Sequence, residues 1–423
     1  MRDRKAWHRF WYHCVVGREP LSLYVHIPFC SLKCSYCDFN SYAGLEALVR
    51  PYVDALIAEM GLWRGAVHGR PVPTVFFGGG TPSLLPLPEL ERIMAALRQN
   101  FELEPEAEVS LEANPGTVDA AYLRGLLALG VNRLSLGVQS FHDDELAALD
   151  RIHSAAEAVE AYRWARGASF QRINLDLIYG LPEQPMERWQ STLDQAIELA
   201  PDHLSLYALT VEEGTKLAYD IDHGRAPAPD PDAQASMYEL SCKRLAETGY
   251  RQYEISNWAR AGQECRHNLV YWRNGDWLGL GAGAHSHLGG KEEGGRRKGA
   301  YRFADVYSPK QYVRRVQETV AGGVPAGAPV RELLRAMGQV AYVEEQTPEL
   351  AMADTAILAL RLNEGLDAAE FRRRFGRELE ELYGPVFVEM TGLGLLERED
   401  GRIRLTDRGR LLANEVFVRL LPD

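Results

Sequence analysis

From residue 21 to 208 short apolar runs alternate with helical stretches, and this series constrains the fold more than any other feature of the chain. Strand-like runs at 22–27, 73–77, 108–112, 133–138, 172–178 and 203–208 are separated by helical patterns near 46–64, 87–99, 118–129, 154–167 and 187–199. Serial βα units give parallel strands with right-handed crossovers. A doubly wound sheet and a barrel both satisfy the pattern, and periodicity does not choose between them. In either architecture ligands gather at the carboxyl ends of the strands.

The unusual residues of the chain fall at those ends. Cys30, Cys34 and Cys37 follow the first strand as Cys-x3-Cys-x2-Cys. Clustered thiolates suit soft metals and iron–sulfur clusters. A structural zinc site or an ordinary four-iron cluster takes four protein ligands, and no fourth cysteine or close histidine follows. Three thiolates would leave one iron open for substrate chemistry. Gly78, Gly79, Gly80 and Thr81 follow the second strand, where glycines allow close backbone approach to a ligand. Glu112 closes the third strand, Gln139 ends the fourth, Arg151 follows in Leu149-Asp-Arg-Ile-His153, and Asp176 lies near the end of the fifth.

Composition narrows the class. The chain has 423 residues, 46% apolar and 25% charged, enough for two or three globular domains. A net charge of −12 argues against a nucleic-acid partner. Cys14, Cys242 and Cys265 are scattered, which is no disulfide framework, and a thiolate cluster calls for a reducing, cytoplasmic setting. No apolar run is long enough to span a membrane. The first twenty residues mix Arg2, Arg4, Lys5 and Arg9 with Trp7, Phe10, Trp11 and Tyr12. They read as a loose tail rather than a membrane-surface anchor, leaving transient membrane association open.

The cysteine run resembles the signature of the radical S-adenosylmethionine (SAM) superfamily. The resemblance implies a partial, six-unit (β/α) barrel holding a [4Fe-4S] cluster whose open iron is chelated by SAM. Within that superfamily the chain is similar to the coproporphyrinogen-dehydrogenase-like branch. Tyr24 and His26 before the cysteines, the glycine run and Asn174-Leu-Asp-Leu-Ile-Tyr-Gly-Leu-Pro182 carry the likeness. It implies SAM contacts for Tyr24, Gly78, Gly79, Gly80, Thr81, Glu112, Gln139, Arg151 and Asp176. The sequence departs at Asp150, where relatives commonly have glycine.

Two families share this scaffold, the oxygen-independent coproporphyrinogen III oxidases (HemN) and the heme chaperones (HemW). The oxidases typically carry a further cysteine two positions after the third cluster cysteine, and this chain has Phe39 there, as the chaperones do. His267-Asn-Leu-Val-Tyr-Trp272 matches the chaperones' His-Asn-x-x-Tyr-Trp element. That match implies heme contacts for His267, Tyr271 and Trp272, with His285 and His287 as rival ligands. The resemblance covers almost everything from residue 20. It implies a heme chaperone with cluster, SAM and heme as cofactors and respiratory proteins as heme acceptors. No catalytic residue is assigned, and a homodimer is left open. An electron-transfer iron–sulfur protein is the third class, but it would need no strand-end carboxylates.

The expected organisation is a tail (1–20), the radical SAM partial barrel (21–225), an extension carrying the hexad (226–328) and a small winged-helix-like α+β domain (329–423). Pro/Ala/Gly-rich stretches at 226–231 and 321–329 mark the internal boundaries. The last part reads as three helices, a hairpin turning at Glu399-Asp-Gly, and a helix capped by Thr406.

Overall fold

The computed structural model describes residues 19–289, 300–324 and 327–422. The expectations for the basic tail, including Cys14, and for a charged loop at 289–299 fall outside these residues, apart from their ends. The six expected strands form as β1 (Ser22–Ile27), β2 (Pro71–Gly79), β3 (Glu102–Ala113), β4 (Arg133–Gln139), β5 (Ile173–Tyr179) and β6 (His203–Ala208). They pair in that order, all parallel. β3 begins well before the expected 108–112. Its leading residues are mostly exposed, so no apolar run announces them.

Alternation along these strands separates two environments. Leu23, Val25, Val75, Phe77, Leu111, Leu134, Leu136, Leu175, Leu177 and Leu204 point outward into one buried core with the surrounding helices. The inward residues are largely polar and line up across the sheet. One row runs Tyr24, Phe76, Ser110, Arg133. The next runs Glu112, Ser135, Asn174, His203. The barrel therefore encloses a polar lumen rather than an apolar filling.

Four further strands extend the sheet beyond β1, and two beyond β6. In chain order these are β7 (Arg251–Glu254), β8 (Asn257–Ala259), β9 (Trp277–Leu280), β10 (His285–Gly289), β11 (Ala300–Asp305) and β12 (Val340–Gln346). The sheet order is β12-β11-β10-β9-β1-β2-β3-β4-β5-β6-β8-β7. β9 is parallel to β1, and the strands after it are antiparallel. Sequence reading held no strand at 340–346. This is an edge strand with one partner, and its Tyr342 and Val343 are exposed, so the apolar signal is weak.

Helix Val330–Ala336 also packs into the first core through Leu333 and Leu334, so that core continues past the expected boundary at 329. A second core gathers residues from Met352 to Leu420. There the hairpin Leu396–Glu399 and Arg402–Leu405 turns at Asp400 and Gly401, both at positive φ (51° and 74°), as a tight primed turn requires. Thr406 caps the following helix by accepting from Gly409 N. This second unit docks on the extension: Arg374 donates to the carbonyls of Arg273 and Asn274, and Asn363 N donates to Tyr253 O.

Candidate cluster and cofactor site at the strand ends

The three cysteines lie on the loop that leaves β1, half-buried and in no disulfide. Residues Phe29–Cys30 pair in parallel with Tyr42–Ala43, closing the loop on itself. Lys33 Nζ ties it internally to Phe39 O (2.9 Å), and Leu217 N donates to Ser35 O (2.8 Å). Each thiol has its own neighbour. Cys30 Sγ is 3.5 Å from Thr81 Oγ1, Cys34 Sγ is 3.6 Å from Arg151 Nη1, and Cys37 Sγ is 3.9 Å from Ser41 Oγ.

Among the described residues no three His, Cys, Asp or Glu side chains converge as ligands of a single metal ion. A four-iron cluster binds each thiolate to a different iron, so separated thiols on one short loop suit it. A cleft of about 390 Å³ opens beside Cys34 and Cys37, bounded by Lys33, Asp38 and residues 213–216.

The glycine run packs tightly at the end of β2. Gly80 N donates to Ile27 O and Thr81 N to Phe29 O, both at 2.8 Å, which pins the cysteine loop to this turn. Gly79 has φ +113°, and a Cβ there would sit 2.4 Å from the His26 ring. His26 is held by Tyr24 OH at 3.0 Å and by Asn40 O at 2.8 Å, and burial lowers its pKa to about 4. The neutral ring therefore joins strand, glycine turn and cysteine loop.

Glu112 accepts from Gly79 N at 3.2 Å. Burial, together with the negative charge of Asp176, pushes its pKa up to about 8. Asp176 accepts from Ser135 Oγ and Asn174 Nδ2, both at 2.8 Å, yet burial still raises its pKa. Arg151 Nη2 donates to Gly137 O at 2.8 Å, while its buried Nε has no hydrogen-bond partner among the described residues. Gln139, at φ +68°, lies with Arg151 over Gly137. Two carboxyls short of cations and one guanidinium with a spare donor suit a ligand carrying both a cation and a carboxylate. Asp150 has φ +52°, which gives a physical reason for glycine there in relatives. Aspartate is among the few other residues that tolerate this region.

The hexad lies lower in the lumen. Helix Arg266–Trp272 packs against β2 and carries the hexad. His267 is 1% exposed; it stacks on Phe76, and both ring nitrogens are engaged, Nδ1 with Thr74 Oγ1 and Nε2 with Tyr271 OH, each at 2.8 Å. Burial lowers its pKa to about 3. Trp272 lies under the Arg361 guanidinium of the second unit at 4.6 Å. Asn268 donates to Tyr253 OH, which hydrogen-bonds His203; His203 bonds Asn174, and Asn174 bonds Asp176. One polar chain thus joins the hexad to the upper site. His287 is also buried, against Gly275 O at 2.8 Å, whereas His285 is exposed.

The strand-end residues therefore come together as expected, and the hexad joins them only through the lumen. Sequence reading missed the lumen itself. Its signal was present as polar residues at every second position of β3, β5 and β6.

Comparison with known proteins places this geometry. Residues 24–196 match the model of the Radical SAM superfamily, and 346–412 match the HemN C-terminal domain. The chain is 38% identical over 406 residues, 95% of each chain, to the heme chaperone HemW of Mycobacterium tuberculosis. This chain belongs to the HemW family of radical SAM heme chaperones. The HemW of Bacillus subtilis is 36% identical, over 95% of this chain and 99% of its own. Among solved structures the radical SAM coproporphyrinogen III oxidase HemN of Escherichia coli matches with a TM-score of 0.77 and 26% identity, over 95% of this chain and 90% of that one. HemW and HemN thus share the partial barrel and the C-terminal unit. Membership of the radical SAM superfamily implies a [4Fe-4S] cluster and SAM. Among the described residues no helix is long and apolar enough to cross a membrane.

Proposed function

We propose that this chain holds a [4Fe-4S] cluster on Cys30, Cys34 and Cys37, binds SAM at the strand ends, and carries heme in the cytoplasm to respiratory proteins. Kinship with HemW chaperones along nearly the whole chain carries this reading. Phe39, where the oxidase pattern has a further cysteine, supports it against the HemN alternative.

A [4Fe-4S] cluster held by Cys30, Cys34 and Cys37 would supply one-electron reducing power towards the sulfonium of bound SAM. The protein's own part is to bind and orient. Glu112 and Asp176 offer carboxyl oxygens to the cationic end of the ligand, whose charge would favour their ionised forms on binding. Arg151 Nε offers a donor to its carboxylate. The Gly78–Gly80 turn lets the ligand approach the backbone closely. Tyr24 and His26 keep that turn and the cysteine loop in fixed relation. The hexad closes the lumen below and, through Asn268, Tyr253, His203 and Asn174, is positioned to feel the state of Asp176.

The test is one anaerobic, cluster-reconstituted preparation assayed side by side for heme binding and for coproporphyrinogen III decarboxylation. Heme binding without decarboxylation is expected. Robust conversion to protoporphyrinogen IX would overturn the chaperone reading in favour of the oxidase.

A further inference from the structure

His203 and Tyr253 lie outside the residues assigned to cluster or SAM, yet every polar atom of their side chains is engaged. His203 opens β6 and is 2% exposed. Its Nδ1 lies 2.7 Å from Asn174 Oδ1, and its Nε2 lies 2.9 Å from Tyr253 OH. The Tyr253 hydroxyl, on β7, also accepts from Asn268 Nδ2 at 3.2 Å, and Asn268 belongs to helix Arg266–Trp272.

The direction of each bond follows from its neighbours. The Asn174 Nδ2 amide faces Asp176 Oδ1 (2.8 Å), Ser135 Oγ (2.7 Å) and Ser205 Oγ (2.9 Å), which turns its carbonyl oxygen to His203. A carbonyl only accepts, so the His203 proton sits on Nδ1. Burial, and then the Arg133 charge, lower the pKa of His203 well below its ordinary value, so the ring carries no second proton. Nε2 is therefore an acceptor, and the Tyr253 hydroxyl donates to it. The chain runs one way, from Asn268 through Tyr253, His203 and Asn174 to Asp176, and it crosses from the hexad helix over β7, β6 and β5. Hydrogen bonds aligned in one direction polarise each other, so the strength of the run depends on the acceptor at its end. Burial raises the pKa of Asp176, and a cationic ligand beside it draws it into the ionised form, the stronger acceptor.

We propose that His203 and Tyr253 are positioning residues that hold the Asn174 amide towards Asp176 and carry SAM occupancy of the strand ends to the hexad helix, which tightens when SAM binds. Both act through Asn174. A helix held more firmly at Asn268 when SAM is in place lets the hexad read the state of the strand-end site. Coupling between two sites is reciprocal, so the same chain raises the affinity for SAM. This inference rests on the placement of SAM against Asp176.

The test is hydrogen exchange of helix Arg266–Trp272, followed by mass spectrometry in full-length, anaerobically cluster-reconstituted protein with and without SAM. SAM affinity is measured on the same samples by equilibrium dialysis. In the wild type SAM should slow exchange of this helix by about fivefold or more, the ordinary scale of coupling between sites. Tyr253→Phe removes one hydroxyl and breaks the chain away from both of its ends. In that variant SAM should still bind, about fivefold more weakly, and should leave exchange of the helix unchanged. Asn268→Ala should lose the SAM response in the same way. A wild type that binds SAM without slowing of the helix, or a Tyr253→Phe protein that keeps the full slowing, would overturn the relay while leaving the SAM site standing. A wild type that binds no SAM would remove the SAM site and this inference with it.

Discussion

Glu112→Gln separates folding from function at the strand ends. The Glu112 carboxyl is raised from 4.5 to about 8, first by burial and then by Asp176. A carboxyl raised in the folded state contributes stability below its unfolded pKa, and that contribution is lost as pH rises towards the folded value. The window is therefore about pH 4.5 to 8. At 1.36 kcal/mol per unit the full shift corresponds to roughly 5 kcal/mol. Glu112 is only partly buried at the open end of the lumen, and solvent screening reduces this to about 2 kcal/mol. Glutamine keeps an acceptor for Gly79 N and cannot ionise. In urea unfolding of the cluster-free protein, Glu112→Gln should match wild type within about 0.5 kcal/mol near pH 5 and exceed it by about 2 kcal/mol at pH 8.5. The same variant should bind SAM roughly tenfold or more weakly in the cluster-loaded protein, because the charged acceptor is gone. A variant no more stable than wild type at pH 8.5 would refute the buried-carboxyl argument. Unchanged SAM affinity would refute the placement of the ligand.

Cys30→Ala, Cys34→Ala and Cys37→Ala should each abolish an iron content of about four per chain after anaerobic reconstitution, whereas Cys242→Ala should retain it. Tightly bound zinc without iron in the wild type would show that the donor set had been misread. Asp150→Ala should cost about 1 kcal/mol in thermal or urea unfolding, because alanine resists φ +52°, while Asp150→Gly should cost none. An alanine variant as stable as wild type would remove the backbone explanation for glycine in relatives.

Six parallel strands, their helices and the strand-end constellation were legible because they rest on local signals: an apolar run, a turn residue, a cysteine spacing. The edge strand Val340–Gln346 was not. With one partner and exposed Tyr342 and Val343, it carries little apolar signal of its own. The polar lumen was written in the sequence as Glu108, Ser110 and Glu112 or Asn174 and Asp176 at alternate positions. Parallel strands usually bury apolar residues on both faces, so that alternation reads as partial exposure.

The sequence by itself determined which residues can do chemistry here, because spacing and residue type are properties of the chain. It determined the three thiols, the glycine turn and the hexad. Only the tertiary structure decided what each imidazole touches. His267 meets Thr74, nearly two hundred positions away, and Tyr271, while His203 is joined to Asn174 and Tyr253. Whether a nitrogen is free depends on what folds against it, and neighbours brought from distant strands leave no mark in the local sequence.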